Sequence, residues 1–369
     1  MNVLMFGGTG IISSEVCKLL LDTENSVTIV NRGNRKNMLD DRAKLIVADV
    51  RNDDISELIG EHYDVVIDFI SYDTKQLKKM LDCCSQRCNQ FVFISSATVY
   101  KSKKNGVYDE TDAIGNDEWD YCLKKAECEN LLKNSKLNCK YTIIRPYVTY
   151  GRTRIPYQFC PLEYYTIINR LVHEKPIPIY HADTKCTVTY SPEFAIGVIG
   201  LLMNEKAFNE AFHITCSYST TWKDIIENLG KVLNKKPVFI EVTDQALNKN
   251  DYAFSVAEIR GDKSRDMVFD NSKIRNAVPE FKGSVQFENC ASQIVDYYKE
   301  NSEYKTVNYR WDASVDKLLA RSSKSQEYCH KLSLRGYGEA KLTLKNKKDY
   351  LMERYKLFSL LKKIIKCHT

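Results

Sequence analysis

Apolar and polar positions along this 369-residue chain switch repeatedly between two periods. Asn2-Val3-Leu4-Met5-Phe6 is a short apolar run closed by Gly7-Gly8-Thr9-Gly10. Residues 11–21 follow with helical spacing, and Ser26-Val27-Thr28-Ile29-Val30 is a second apolar run. Short continuous apolar runs bounded by glycine predict buried strands, so residues 1–32 read as a strand–turn–helix–strand unit. Further strands are predicted over residues 44–50, 64–70, 90–94 and 140–146, with helices over 74–87 and from Trp119 to about Asn134. Strands alternating with helices predict an α/β chain built on a Rossmann-like, doubly wound parallel sheet, with its ligand at the strands' carboxyl ends.

Beyond Gly151 the pattern loosens. A helix is expected over 162–173, a strand then a helix around 187–195, and strands over 211–215 and 238–242. Residues 221–230 read as a helix with Thr220 or Thr221 as cap and Gly230 near its end. Glu193, opening the helix after residue 190, reads as a dipole-favoured cap. Residues 349–366 fit a helix with Leu351, Tyr355, Phe358, Leu361 and Ile365 along one stripe and Lys356, Lys362, Lys363 and Lys366 among or opposite them. Three regions are therefore expected. Residues 1–150 form a dinucleotide-binding domain, 151–321 a smaller α/β substrate-binding region interleaved with it, and 322–369 a basic helical extension.

Composition changes this picture little, at 43% hydrophobic and 28% charged residues. Charge changes it more. The net +6 is confined to the end of the chain, since residues 325–369 carry 11 basic against 4 acidic side chains. The neutral body argues against nucleic acid as a partner. The basic tail suits docking on the body, a second subunit (a homodimer is expected), a partner protein or an anionic membrane surface. None of the 13 cysteines has CxxC spacing, and Cys83, Cys84 and Cys88 fall in a helical-looking stretch. The apolar start breaks at glycine too early for a secretory signal, so free thiols, a cytoplasmic location and no metal site are expected.

Gly7 and Gly10 let a backbone turn approach a pyrophosphate held at a helix N-terminus. The segment Asn31-Arg32-Gly33-Asn34-Arg35-Lys36 stands where an acidic residue would accept a ribose 2′-hydroxyl, and where an arginine would meet a 2′-phosphate. Asn31 supplies no carboxylate; Arg32, Arg35 and Lys36 either meet a phosphate or form a solvated loop, so NAD or NADP stays open. Asp49 ends the third predicted strand, and Asp68 lies inside an apolar run, either as a paired buried carboxylate or close to the cofactor. Tyr121 and Lys125 lie four apart on one helix face, where the ammonium can lower the phenol pKa for proton exchange with a substrate hydroxyl. Ser96 at a strand terminus can hold the same oxygen.

Gly7-Gly8-Thr9-Gly10-Ile11-Ile12, Asp49-Val50, Ser95-Ser96-Ala97-Thr98-Val99-Tyr100, the Tyr121/Lys125 pair and Arg145-Pro146-Tyr147-Val148-Thr149-Tyr150-Gly151 stand in an order that resembles the extended short-chain dehydrogenase/reductases of the NAD-dependent epimerase/dehydratase family. The resemblance spans roughly residues 1–300. It implies Ser96, Tyr121 and Lys125 as catalytic residues. It implies cofactor contacts at Gly7, Thr9, Gly10, Ile11, Ile12, Asn31 and Arg32, and also at Asp49, Val50, Ser71, Lys125 and Tyr147. Lys125 would hold the nicotinamide ribose and Asp49 would meet the adenine. Substrate contacts are implied at Ser96, Thr98, Tyr121 and Thr149, with Arg152, Arg154 and Lys185 as candidate diphosphate ligands and Lys273 as a possible further phosphate contact.

The sequence departs from the family pattern at three places. Ser13 replaces the third glycine, Phe69-Ile70-Ser71-Tyr72 replaces a His-containing stretch, and Val148 replaces an asparagine. Ala97-Thr98 stands where the family's dehydratases carry an acid pair. The expected function is an NAD(P)-dependent nucleotide-sugar epimerase with Tyr121 as general base. The rivals are an NADPH-dependent nucleotide-sugar reductase or dehydratase, and a non-catalytic dinucleotide-sensing or RNA-binding Rossmann protein.

Overall fold

Val3, Leu4, Met5 and Phe6 are all fully buried in β1 (Asn2–Phe6), as an apolar run covered on both faces requires. Val3 and Met5 join one core cluster while Leu4 and Phe6 join the other, the alternation that a central strand imposes. Burying one such side chain contributes about 1.5–3 kcal/mol. The computed structural model of the chain describes residues 1–35, 39–60, 62–103, 106–247, 251–322, 331–337 and 342–355. They fall into two units. Unit 1 comprises Met1–Gly151, Thr187–Ser219 and Asp266–Gln286, and unit 2 the remaining segments.

In unit 1, β1 is flanked by β2 (Ser26–Asn31) and β4 (Tyr63–Asp68), both parallel to it. With β3 (Lys44–Val47), β5 (Cys88–Ile94), β6 (Lys140–Pro146) and β11 (Glu210–Ile214) they form a seven-stranded sheet in the order β11-β6-β5-β4-β1-β2-β3. Every pairing is parallel. Strand order reverses between β1 and β4, the switch point at which such sheets bind ligands. Helices α1 (Ile11–Asp22) and α5 (Ser191–Gly200) contribute to the core of one face, and α2 (Thr74–Cys84) and α3 (Asp120–Asn134) to the other. A short parallel pair, β7 (Val148–Tyr150) with β10 (Val188–Tyr190), and α8 (Ser272–Ala277) complete the unit.

Unit 2 contains α4 (Tyr165–Val172), β8 (Ile177–Ile179), β9 (Lys185–Cys186), β12 (Thr220–Thr221), α6 (Trp222–Leu233), β13 (Phe239–Glu241) and α7 (Val256–Glu258). It continues with α9 (Ala291–Glu300), α10 (Tyr309–Ser322) and α11 (Leu344–Arg354). Strand β13 runs parallel to β8, and β12 antiparallel to β9.

Several sequence expectations are corrected. The third strand stops at Val47 because the chain turns at Asp49, whose carbonyl accepts the amides of Asn52 and Asp53. The fourth stops at Asp68, whose carboxylate takes the Ile70 and Ser71 amides. Helix α2 ends at Cys84 rather than residue 87, because the Arg87 carbonyl already accepts from the Tyr63 amide and Cys88 opens β5. Helix α4 begins at Tyr165, leaving Leu162 in solvent. Helix α6 runs past Gly230 and stops at Asn234 in the left-handed region, φ 51°. Gly230 is there for close approach, since a Cβ would lie 2.6 Å from the Lys235 carbonyl oxygen.

Glu193 does not cap its helix. Its carboxylate accepts from the Ser284 and Val285 amides at 2.7 and 3.0 Å, pinning a distant loop of the same unit. In the last helix the buried residues are Tyr350 and Glu353, while Leu351 and Tyr355 from the expected stripe face solvent. Polar contacts to α10 decide that choice, as Glu353 pairs with Lys317 at 2.7 Å and Arg310 at 3.0 Å. The remaining stripe and lysine positions, from Lys356 onward, lie outside the described residues, as does Lys36. No described helix is long and apolar enough to cross a membrane.

Candidate active site

The turn after β1 is held by residues whose side chains brace its backbone. Gly7 and Gly8 have φ of +120° and +106°, and a Cβ on Gly8 would lie 2.9 Å from Ile29. Gly10 precedes α1, and the Ser13 hydroxyl accepts its N–H at 2.9 Å. Ser13, standing where the family has its third glycine, thus satisfies one otherwise unpaired N–H at the start of α1. Asn31, ending β2, donates from Nδ2 to the Gly7 carbonyl at 3.2 Å and accepts the Gly33 amide at 2.7 Å.

These elements open onto a cavity of about 420 Å³ along the carboxyl ends of β1, β2 and β3. Gly7, Thr9, Asn31, Arg32, Asp49 and Val50 line it, together with Asn34, Arg35, Arg51 and Ile70. A second cavity of about 380 Å³ shares Val50, Arg51 and Ile70 with it and reaches Ser71. Within its loop the Asp49 carboxylate accepts the Arg51 amide and the Asn52 side-chain amide, each at 3.1 Å. Ile11 and Ile12 open α1 directly after the turn.

The end of β4 links the cavities to the candidate chemistry. The Lys125 Nζ donates to the Ser71 and Ile94 carbonyls, both at 2.7 Å, and lies 4.7 Å from the Phe93 ring centre. Lys125 is buried, and burial pulls its ammonium down to about 8, opposed by the charge of Asp68. Two of its three N–H donors are committed to carbonyls, which leaves one for a ligand. Asp68 is fully buried; its Oδ2 and the buried Ser71 Oγ have no hydrogen-bond partner among the described residues. Orphaned polar atoms beside a buried ammonium, together with the glycine turn, fit a hydroxyl-rich dinucleotide.

Ser96 follows β5 and caps a 3₁₀ turn, Ala97–Val99; its Oγ lies 2.9 Å from the Thr98 hydroxyl and accepts the Thr98 amide. Tyr121 stands on the first turn of α3, half-buried, its ring 4.8 Å from Trp119. Lys125 is one turn further on, and α3 packs against the 3₁₀ turn that Ser96 caps. Tyr147 is buried against Phe269, and Thr149 is buried in β7.

The candidate diphosphate ligands belong to unit 2. Arg152 is exposed and faces Glu300 at 3.9 Å, Arg154 is partly buried, and Lys185 is exposed in β9. Lys273, in unit 1, is taken by Glu210 at 2.6 Å.

Sequence reasoning missed the residues that hold α3. Glu129 accepts from Arg145 at 2.9 and 2.6 Å and from the Ser95 hydroxyl at 2.7 Å, all buried. Arg145 also donates to the Tyr100 hydroxyl, which contacts His213 Nδ1 at 3.1 Å. The available signal was spacing, since Glu129 lies four residues beyond Lys125 on the same helical face.

No curated protein is detectably similar in sequence. The sequence model described as the NAD dependent epimerase/dehydratase family matches residues 3–191. Among solved structures, UDP-glucuronic acid 4-epimerase from Bacillus cereus, in complex with UDP-glucuronic acid and NAD, superposes with a TM-score of 0.67 at 21% identity, over 82% of this chain and 100% of that one. UDP-N-acetylglucosamine 4-epimerase from Methanobrevibacter ruminantium, in complex with UDP-N-acetylmuramic acid, gives 0.64 at 19% identity, over 81% and 98%. UDP-glucose 4-epimerase from Thermotoga maritima, with UDP-glucose, gives 0.64 at 18%, over 82% and 100%. At these identities the structures share a fold with this chain, and the sequence match over more than half its length settles the lineage. The chain belongs to the NAD dependent epimerase/dehydratase family.

Proposed function

We propose that the chain is an NAD(P)-dependent nucleotide-sugar epimerase. The observation that carries this reading is the buried Lys125, tied to the ends of β4 and β5 one helical turn from Tyr121. Gly7, Thr9 and Gly10 would receive the pyrophosphate, and the free Lys125 donor and Ser71 hydroxyl would hold ribose hydroxyls. When bound, nicotinamide supplies reversible oxidation of the sugar carbon. Tyr121 takes the proton from the sugar hydroxyl, with the Lys125 ammonium favouring its phenolate. Ser96, fixed by its own turn, donates a hydrogen bond to the same oxygen. Ala97 and Thr98 carry no acid for elimination, which favours epimerisation over dehydration.

The test is a panel of UDP-, GDP-, dTDP- and CDP-sugars incubated with the protein and followed by NMR. One member should interconvert with its epimer, and Tyr121→Phe should slow turnover by about 10²–10⁴-fold with the circular dichroism spectrum unchanged. Undiminished turnover in that variant removes Tyr121 as the base. The arginines of the first cavity favour a second reading, a reductase that consumes NADPH. It predicts one cofactor oxidised per product, whereas the epimerase leaves the cofactor total constant.

A further inference from the structure

We propose that the cavity at the ends of β1, β2 and β3 is built for an adenosine ribose bearing a 2′-phosphate, so that this chain takes NADP in preference to NAD. The inference rests on the dinucleotide-binding reading above and adds the identity of the dinucleotide. Three observations carry it.

First, the residue ending β2 is neutral. Asn31 spends its amide on the turn itself, through the Gly7 carbonyl and the Gly33 N–H. A carboxylate there would accept the 2′-hydroxyl of NAD and repel a phosphate; this neutral side chain carries no charge to repel one. Second, the one carboxylate among the described lining residues, Asp49, is turned into its own loop, where the Arg51 amide and the Asn52 side chain occupy it. Third, Arg32, Arg35 and Arg51 all line the cavity, and none forms an ion pair among the described residues. Arg42, a short way along the chain, shows the contrast, since Asp22 and Asp40 hold it at 2.8 and 2.7 Å.

Three unneutralised guanidinium groups around one concave site raise the local potential and favour a dianion. Their forked donors match phosphate oxygens two at a time, which a ribose hydroxyl cannot exploit. They come from two separate loops, those after β2 and β3, so an anion between them would be held from both sides.

The experiment uses the full-length protein and two readouts. Nucleotide released by heat is first identified by ion-exchange chromatography. The nucleotide-free protein is then titrated calorimetrically with adenosine 2′,5′-bisphosphate and with 5′-AMP. NADP should be the dinucleotide released, and the bisphosphate should bind at least about tenfold more tightly, the factor carried by a single charge-assisted hydrogen bond. That ratio should shrink in high salt and fall towards one in R32A/R35A/R51A. Release of NAD alone, or equal affinity for the two ligands, overturns the proposal and leaves dinucleotide binding intact, the arginines then being a solvated surface. If no dinucleotide is released and neither ligand binds, the dinucleotide reading falls and this proposal falls with it.

Discussion

Ser13 shows how a single side chain can substitute for a missing glycine. Its hydroxyl receives the Gly10 N–H, and Gly10 leads directly into α1. Ser13→Ala should cost about 1 kcal/mol in urea-induced unfolding, the usual worth of a cap, and weaken dinucleotide binding because the turn loses its brace. Lys125 makes a second prediction at this scale. Burial lowers its ammonium from 10.5 to about 8 in the folded chain. Between those values the unfolded chain binds the proton and the folded chain does not, so stability rises with pH across that window and falls as pH returns towards 8. Lys125→Met should flatten this limb when unfolding free energy is measured from pH 8 upward. A slope unchanged by the substitution would remove Lys125 as its source.

At the scale of elements, α3 is the part whose placement the proposed chemistry needs most. Tyr121 and Lys125 sit on its first two turns, and Glu129 on the next clamps it to Arg145 of β6 and to Ser95 beyond β5. Glu129→Ala leaves the Arg145 guanidinium buried without its partner, so a loss of about 3–5 kcal/mol in chemical denaturation is expected. Replacing both residues by apolar ones of similar volume should cost less than the single change, since no uncompensated charge remains. The Tyr121/Lys125 spacing and the strand that leads to Ser96 can be read from local periodicity. Glu129 shares that helical face, yet its partner lies sixteen residues on in strand β6, and only packing selects it. The same reasoning explains Glu193, which reads locally as a cap and instead ties down residues 284 and 285.

At the scale of the whole molecule, described residues after Asn308 supply buried charges and rings to the core of unit 2. Arg170 and Lys175 are fully buried against Asp312 and Asp316 of α10, with Lys175 at 2.7 Å from each carboxylate. Tyr337 donates to Asp312 and Tyr350 to Asp316, closing the cluster from the C-terminal side. Asp312→Ala strips a buried two-cation site of one anion and should destabilise by about 3–5 kcal/mol in urea titrations. A chain ending before Tyr309 should fail to fold, because both cations would be left without a carboxylate. Acid should act on the two units in successive windows. In unit 1, burial lowers His213 from 6.5 to about 4, so stability is lost as pH falls through that interval while the unfolded chain takes up the proton. In unit 2, Arg170 and Lys175 outweigh burial and hold Asp312 at about 2 against 3.8, so its contribution is lost only below pH 3.8. His213→Gln should abolish the upper window in a pH-dependent melting series and leave the lower one.

The sequence by itself determines the alternation of buried strands with amphipathic helices, the glycine turn after the first strand and the one-turn spacing of Tyr121 and Lys125. Each is a local periodicity or a short-range steric requirement, and such signals survive without knowledge of the fold. Tertiary structure decides which distant groups meet. It sets Arg51 beside Arg32 and Arg35 around one cavity, clamps Glu129 to Arg145, and brings Asp312 to Arg170 and Lys175. A charged residue looks the same in sequence whether it faces water or a partner more than a hundred residues away. The difference is made when burial removes the water and leaves only a partner to hold the charge.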